Sequence, residues 1–239
     1  MGTSRLGGVP VTLPPSTARR APAQLGMELP RPPRTDLLPG VVHLADWLTP
    51  EEQQSLVADF REWARPPAGL RHPRVPAGHV MTVQSVCLGW HWSPYAYSRT
   101  ADDTDGAPVK PMPATVDELS RRAVRDTLGA VPFAPDAAIV NLYGEGARLG
   151  LHQDGEEPAE APVVTISLGD TCVFRMAGVQ RRTAPFVDVE LRSGDLLVFG
   201  GPNRRIYHGV PKVHDGTGPP WLDVPGRLSI TVRETGFGS

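Results

Sequence analysis

The chain has 239 residues, of which 24 are basic and 26 acidic, for a formal net charge of −2. That balance excludes binding to nucleic acid through a global basic excess, so any such contact must rest on local patches. Two cysteines argue against a disulfide framework, and no apolar run is long enough for a membrane span or a signal peptide. A soluble, cytoplasmic monomer with no obligate protein partner is therefore expected.

Residues 1–35 are rich in Pro, Gly, Ser, Thr and Arg, with Arg5, Arg19, Arg20, Arg31 and Arg34 set against Glu28. With almost no apolar residues to bury, this stretch is expected to be a disordered basic tail, separate from a single domain over 36–239. Leu37–Leu44 reads as an apolar strand with a turn in it. Thr49-Pro50-Glu51-Glu52 then opens a helix, with Thr49 as N-cap, Pro50 at the first helical position and Glu52 completing a capping box. Leu56, Val57, Phe60, Trp63 and Ala64 form its apolar stripe.

Residues 65–113 lack strong periodicity and mix Arg65, Arg71, Arg74 and Arg99 with Trp90, Trp92, Tyr95 and Tyr97. A stretch of this length in a compact domain reads as a lid, and rings among cations suit stacking on bases and holding phosphates. The opposing expectation is a hairpin that buries its rings. Cys87 and Cys172 read as small buried hydrophobes. A second capping box at Thr115-Val116-Asp117-Glu118 predicts a helix with Leu119, Ala123, Val124 and Leu128 buried, Arg121, Arg122 and Arg125 solvated, and Gly129 as its stop.

After Pro135 the pattern becomes strands and turns, at Ala137–Tyr143, Val163–Leu168, Cys172–Met176, Val187–Leu191, Leu196–Phe199 and Leu228–Val232. Such spacing predicts an antiparallel sandwich or barrel. In the last strand Arg227, Ser229, Thr231 and Arg233 share one face, which either meets water or lines an anion-binding cavity. Asp195 reads as a turn residue, while Asn203, Arg204 and Arg205 read as a loop or a phosphate contact. His43, His72, His79, His91 and His214 have no matching partners.

The chemistry concentrates in Asn141–Glu156. His152 and Asp154 lie two apart, so in extended chain their side chains emerge together, and His208 adds a second imidazole. Two His and one carboxylate on one face of an ion leave positions open for ligands, the arrangement of non-haem Fe(II) oxygenases.

Asn141-x-Tyr143, His152-x-Asp154, Tyr207-His208-Gly209 and Arg227-x5-Arg233 together resemble the AlkB family of Fe(II)- and 2-oxoglutarate-dependent dioxygenases, from about Asp36 to Gly236. The resemblance implies an α+β, mainly β fold: a double-stranded β-helix (jelly-roll) over 137–236, with supporting helices and a nucleotide-recognition lid at 65–113. It implies Fe(II) on His152, Asp154 and His208. It implies 2-oxoglutarate, used with O2, held by Arg227, Arg233, Asn141, Tyr143 and Ser229. Trp90, Tyr95, Glu156 and Arg181 are implied to meet the substrate. Glu156 stands where the best-known bacterial members carry aspartate, and Ser229 where they carry asparagine. The implied reaction removes N-alkyl groups from 1-methyladenine- or 3-methylcytosine-type lesions in DNA or RNA, releasing succinate, CO2 and formaldehyde. The competing expectations are the same oxygenase chemistry on tRNA, a protein side chain or a small metabolite, and a non-catalytic nucleic-acid-binding jelly-roll.

Overall fold

Short apolar runs punctuated by glycine and proline pair here almost entirely as antiparallel strands. The structure, a computed structural model, describes residues 31–75 and 78–238; the expectation of a tail over residues 1–30 lies outside the described residues. Residues 31–35 do not continue that tail. Arg31 bonds Asp195 at 2.6 Å, and the first strand, β1, is Arg34–Leu38.

Seven strands build the larger sheet: β1, β2 (Val41–Leu44), β3 (Gln84–Leu88), β6 (Ala137–Tyr143), β8 (Val163–Gly169), β11 (Leu196–Phe199) and β13 (Arg227–Arg233). Their order is β1-β2-β11-β8-β13-β6-β3. The smaller sheet runs β10-β9-β12-β7, from β7 (Leu149–His152), β9 (Thr171–Met176), β10 (Val187–Leu191) and β12 (His208–His214). Facing residues of the two sheets, among them Val41, Tyr143, Val163, Phe199, Phe174, Met176 and Val210, form one core. The jelly-roll expectation is met.

Helix α1 (Pro50–Trp63) starts as expected, with both halves of the Thr49–Glu52 capping box present, and it buries Leu56, Val57, Phe60 and Trp63. Helix α2 (Ala114–Leu128) has Pro113 as N-cap with no side-chain cap bond, so the second expected capping box is absent. Its buried stripe is Val116, Ser120, Ala123, Val124 and Thr127; of the expected set Ala123 and Val124 are fully buried, and Leu119 and Leu128 are half-buried against the same core. Nor is its arginine row simply solvated. Arg122 bonds Glu52 of α1 at 2.6 Å and lies over the Trp47 ring; Arg121 reaches the Phe133 carbonyl. Both helices close a second core against the outer face of the large sheet, where Val140, Ile166, Leu228, Ile230 and Val232 project.

The 65–113 stretch, expected to lack regular structure, carries strands. Its Gln84–Leu88 segment is β3, an edge strand paired with β6. The rest carries a hairpin, β4 (His91–Ser93) with β5 (Ala96–Ser98). Asp195 exceeds its expected turn role: fully buried, it accepts from Arg31 and from the Asp46 and Arg192 amides, and it bonds His43.

Candidate metal centre and substrate cavity

The smaller sheet sets the geometry of the centre through strand register. His208, the first residue of β12, is the direct partner of His152, the last residue of β7. Directly opposed residues project to the same face, and the two imidazole centroids lie 4.5 Å apart. Gly209 makes this approach feasible, because a Cβ there would sit 2.7 Å from the Leu149 carbonyl oxygen. Each ring is oriented by its Nδ1, which lies 3.0 Å from a backbone carbonyl, Gly150 for His152 and Ile206 for His208. Nδ1–H donating to those carbonyls frees both Nε2 lone pairs for an ion.

Asp154 completes the group. Its carboxylate oxygens lie 3.7 Å from His152 Nε2 and 3.8 Å from His208 Nε2, and the three donor atoms all fall within 4.8 Å of one another. Burial alone would raise the Asp154 pKa, but Arg233, with lesser help from the two histidines, holds it below the usual carboxylate range. Burial and the neighbouring His152 lower the His208 pKa to about 4 against the pull of Asp154. Near neutral pH the ligand set is thus a carboxylate and an unprotonated imidazole beside His152. Two nitrogens and an oxygen on one side of a small void are the donor set that ferrous iron takes.

Arg227 is fully buried, yet none of its three guanidinium nitrogens has a hydrogen-bond partner among the described residues. Its neighbour is the face of Tyr143, 5.0 Å away. A buried cation with only the Tyr143 phenol and the Cys172 thiol beside it, and no acid, is costly, so an anion supplied from outside would relieve it. A small cavity between the sheets is lined by Asn141, Tyr143, Ser229, Thr231, Arg233 and His208, among others. The arginine-bearing face of β13 is therefore interior, not wetted. Arg233 already grips Asp154 through Nη2 at 2.7 Å and Nε at 3.1 Å.

Outside the metal donors lies an open cavity of about 340 Å³, lined by His152, Asp154, Asn141 and Arg233 together with Trp92, Tyr95, Arg148 and Glu156. Of the residues expected to meet substrate, Tyr95 and Glu156 are here. Trp90 is not. Gly89, at φ 77°, approaches the Asp136 carbonyl so closely that no Cβ would fit, and this turn swings Trp90 outward. Its indole donates to Asp136 at 3.1 Å, packs on Phe237 and lies under Arg99. Trp92 occupies the cavity wall in its stead. Arg181 is exposed and is not among the cavity residues.

Two residues at the centre were illegible from sequence. Glu157 is buried and receives Tyr97 Oη at 2.5 Å and Arg204 at 3.3 Å. Arg204, expected in a loop or against a phosphate, is 2 % exposed and donates to the Ala161 and Asp154 carbonyls. It bolts the backbone of the carboxylate ligand in place. The signal was only the placement of Glu157 three residues past Asp154 and of Arg204 four before His208.

Residues 40–233 match the family described as the 2OG-Fe(II) oxygenase superfamily. The chain is 35 % identical to the alpha-ketoglutarate-dependent dioxygenase AlkB of Escherichia coli (strain K12), over 77 % of this chain and 85 % of that protein. It is 34 % identical to the DNA N(6)-methyladenine demethylase ALKBH1D of Arabidopsis thaliana, over 82 % of this chain but only 49 % of the relative, so it spans about half that protein's length. The solved structure titled "The structure of OsALKBH1" superposes with a TM-score of 0.78 at 32 % identity, covering 84 % of this chain and all of that one. The chain belongs to the 2OG-Fe(II) oxygenase superfamily, within the AlkB-like dioxygenases. Fe(II), 2-oxoglutarate and O2 are the cofactor set of that family, and His152, Asp154 and His208 supply the donor atoms for the metal. No helix among the described residues is long and apolar enough to cross a membrane.

Proposed function

We propose that this chain is an oxidative demethylase of N-alkylated bases in nucleic acid, acting on cationic lesions of the 1-methyladenine and 3-methylcytosine type. The observation that carries the reading is the cavity that Trp92, Tyr95 and Glu156 line together with His152 and Asp154. A ring held between aromatic faces, with a carboxylate at its edge, suits a flat cationic base, and a damaged base is cheaper to flip out of its stack. Bound iron and 2-oxoglutarate supply the oxidation of an unactivated C–H bond by O2, with succinate, CO2 and formaldehyde as products.

The protein's part is placement. His152, Asp154 and His208 hold the metal. Arg227 would receive one carboxylate of the cosubstrate in the fork geometry a guanidinium offers, and the neighbouring cavity lined by Arg233, Asn141, Tyr143 and Ser229 would take the remainder. Arg204, itself held by Glu157, fixes the Asp154 backbone, and Arg233 fixes its carboxylate. Glu156, one methylene longer than aspartate, approaches the base edge. Arg148, at the cavity rim, meets the phosphate backbone.

The name of the plant relative favours a second reading, N(6)-methyladenine in DNA, which is neutral and would gain less from Glu156. A panel of DNA and RNA oligonucleotides carrying 1-methyladenine, 3-methylcytosine or N(6)-methyladenine, assayed by mass spectrometry with Fe(II) and 2-oxoglutarate, separates the readings. Preferential repair of the cationic lesions is expected. Repair of N(6)-methyladenine alone would reverse the preference, and 2-oxoglutarate turnover coupled to none of them would sink the assignment.

A further inference from the structure

Around the start of β4 lies a polar cluster, drawn from β3, β4 and the segments that flank them, that the chemistry above does not use. Arg71 is 8 % exposed, His91 2 % and Cys87 1 %, and the Asp103 side chain is 19 % exposed. Arg71 Nε donates to Asp103 Oδ1 at 2.8 Å, and His91 Nε2 lies 2.6 Å from the same oxygen. Arg71 Nη1 reaches the Ser85 carbonyl at 3.0 Å and Cys87 Sγ at 3.6 Å. Two of these groups, Arg71 and Cys87, meet the backbone of one residue, and His91 and Asp103 brace them. The Trp92 carbonyl accepts from Arg71 Nη2, and Cys87 Sγ receives the Trp92 amide at 3.4 Å.

We propose that Arg71, Asp103, His91 and Cys87 form a positioning knot that fixes Trp92 as the aromatic wall of the cavity, making it the residue that selects flat, aromatic substrates. The proposal rests on the reading of the cavity as a base-binding site. Adjacent residues of a strand face opposite ways, so His91, pinned inward by Asp103, turns the Trp92 indole toward the cavity. Four polar groups in so dry a place cost desolvation that apolar packing would avoid. What they provide is direction, since the guanidinium fork accepts few arrangements. Charge is shared within the knot. Despite burial, His91 and Arg71 lower the Cys87 pKa, and the Cys87 hydrogen bond raises that of His91 despite burial. The knot also explains why Trp90, two residues earlier but outside these bonds, can pack elsewhere.

The test uses the full chain loaded with Fe(II) and 2-oxoglutarate, a single-stranded methylated oligonucleotide, and the variants Arg71→Lys and Asp103→Asn beside Trp92→Leu. All three are expected to raise KM for the oligonucleotide about 10-fold or more, within the range that small misplacements produce. In Arg71→Lys and Asp103→Asn, which lie outside the cavity, the kcat, the iron content and 2-oxoglutarate decarboxylation without oligonucleotide should stay within about twofold of wild type. Wild-type KM in Arg71→Lys and Asp103→Asn, or loss of oligonucleotide-free decarboxylation with it, would overturn the knot. A second readout needs no substrate. In ¹⁵N-labelled protein, the Trp92 indole resonance, assigned through Trp92→Phe, should move in Arg71→Lys and in the isosteric Asp103→Asn, while that of core Trp63 stays fixed. An unmoved Trp92 resonance refutes the knot by itself. Failure of wild-type protein to turn over any methylated oligonucleotide refutes the base-binding reading and leaves the resonance test to judge the knot.

Discussion

Arg227 carries a tension that can be measured. A buried cation without a partner weakens the protein until an anion arrives, so Arg227→Met should do two opposite things. It should raise the melting temperature of the cosubstrate-free protein, because the uncompensated charge is gone. It should also raise KM for 2-oxoglutarate about 10- to 100-fold, as loss of a charge-assisted hydrogen bond of roughly 1.5–3 kcal/mol implies. Scanning calorimetry and decarboxylation kinetics check the two halves, and a fall in both quantities would contradict the reading. His208→Ala should lose bound iron and lower turnover by more than about 100-fold, beyond what changes outside the ligand shell cost, read by metal analysis and formaldehyde release. These ligands were legible because few residue types bind iron and their spacing repeats the geometry of the ion. Glu157 and Arg204 were not legible. They meet across 47 positions of chain, and a charged residue in a polar segment defaults to solvent until its partner is known.

Elements differed in legibility for similar reasons. Helix α1 was readable because Thr49 and Glu52 satisfy each other within four residues. Thr49→Ala should cost about 1 kcal/mol, a fall in melting temperature of roughly 2–4 °C for a domain of this size. β6, β10 and β11 were read to the residue from their apolar runs. β3, β7 and β12 were not, since Gln84, Gly150, Gly209 and Pro211 interrupt the alternation and pairing with neighbours supplies what propensity lacks. The hairpin tip shows the reverse, a local rule broken. Tyr95 is 74 % exposed and sits at φ 71°, where glycine is at home. Strain of about 1 kcal/mol at such a residue is typical of functional sites. Tyr95→Gly should leave thermal stability nearly unchanged, relief of strain offsetting added freedom in the unfolded chain. Oligonucleotide binding should weaken by about 5- to 150-fold, the range that loss of one stacking ring of roughly 1–3 kcal/mol implies. Fluorescence titration reads the binding.

Across the whole molecule, the jelly-roll was legible from strand number and spacing, whereas the division of labour between its layers was not. Alternation along β13 already separated Leu228, Ile230 and Val232 from the arginines; that the first set meets the helices and the second lies between the sheets came from the fold. Acid stability tests the same architecture. Burial opposes ionisation of Asp195, but His43, Arg31 and two backbone amides outweigh it and lower its pKa. A group depressed in the folded state contributes stability that is complete above its unfolded value, about 3.9, and is lost as pH falls through the folded one. Asp195→Asn should therefore be less stable near neutrality and show a flatter loss below about pH 4. Urea melts across that interval measure it, and parallel curves for the two proteins would exclude the linkage.

The opposed histidines of β7 and β12 tie coordination to chain alignment. A slip of one residue between these strands would send one imidazole to the far side of the sheet, so an ion gripped by both rings acts as a rivet that only the native alignment admits. β7 is four residues long and lies at the border of its sheet, where few other forces hold it. Amide hydrogens of Leu149–His152 should accordingly exchange faster after chelation of iron, while those of β13 keep their protection. Iron scarcity would then loosen the rim of the molecule before it touches the middle.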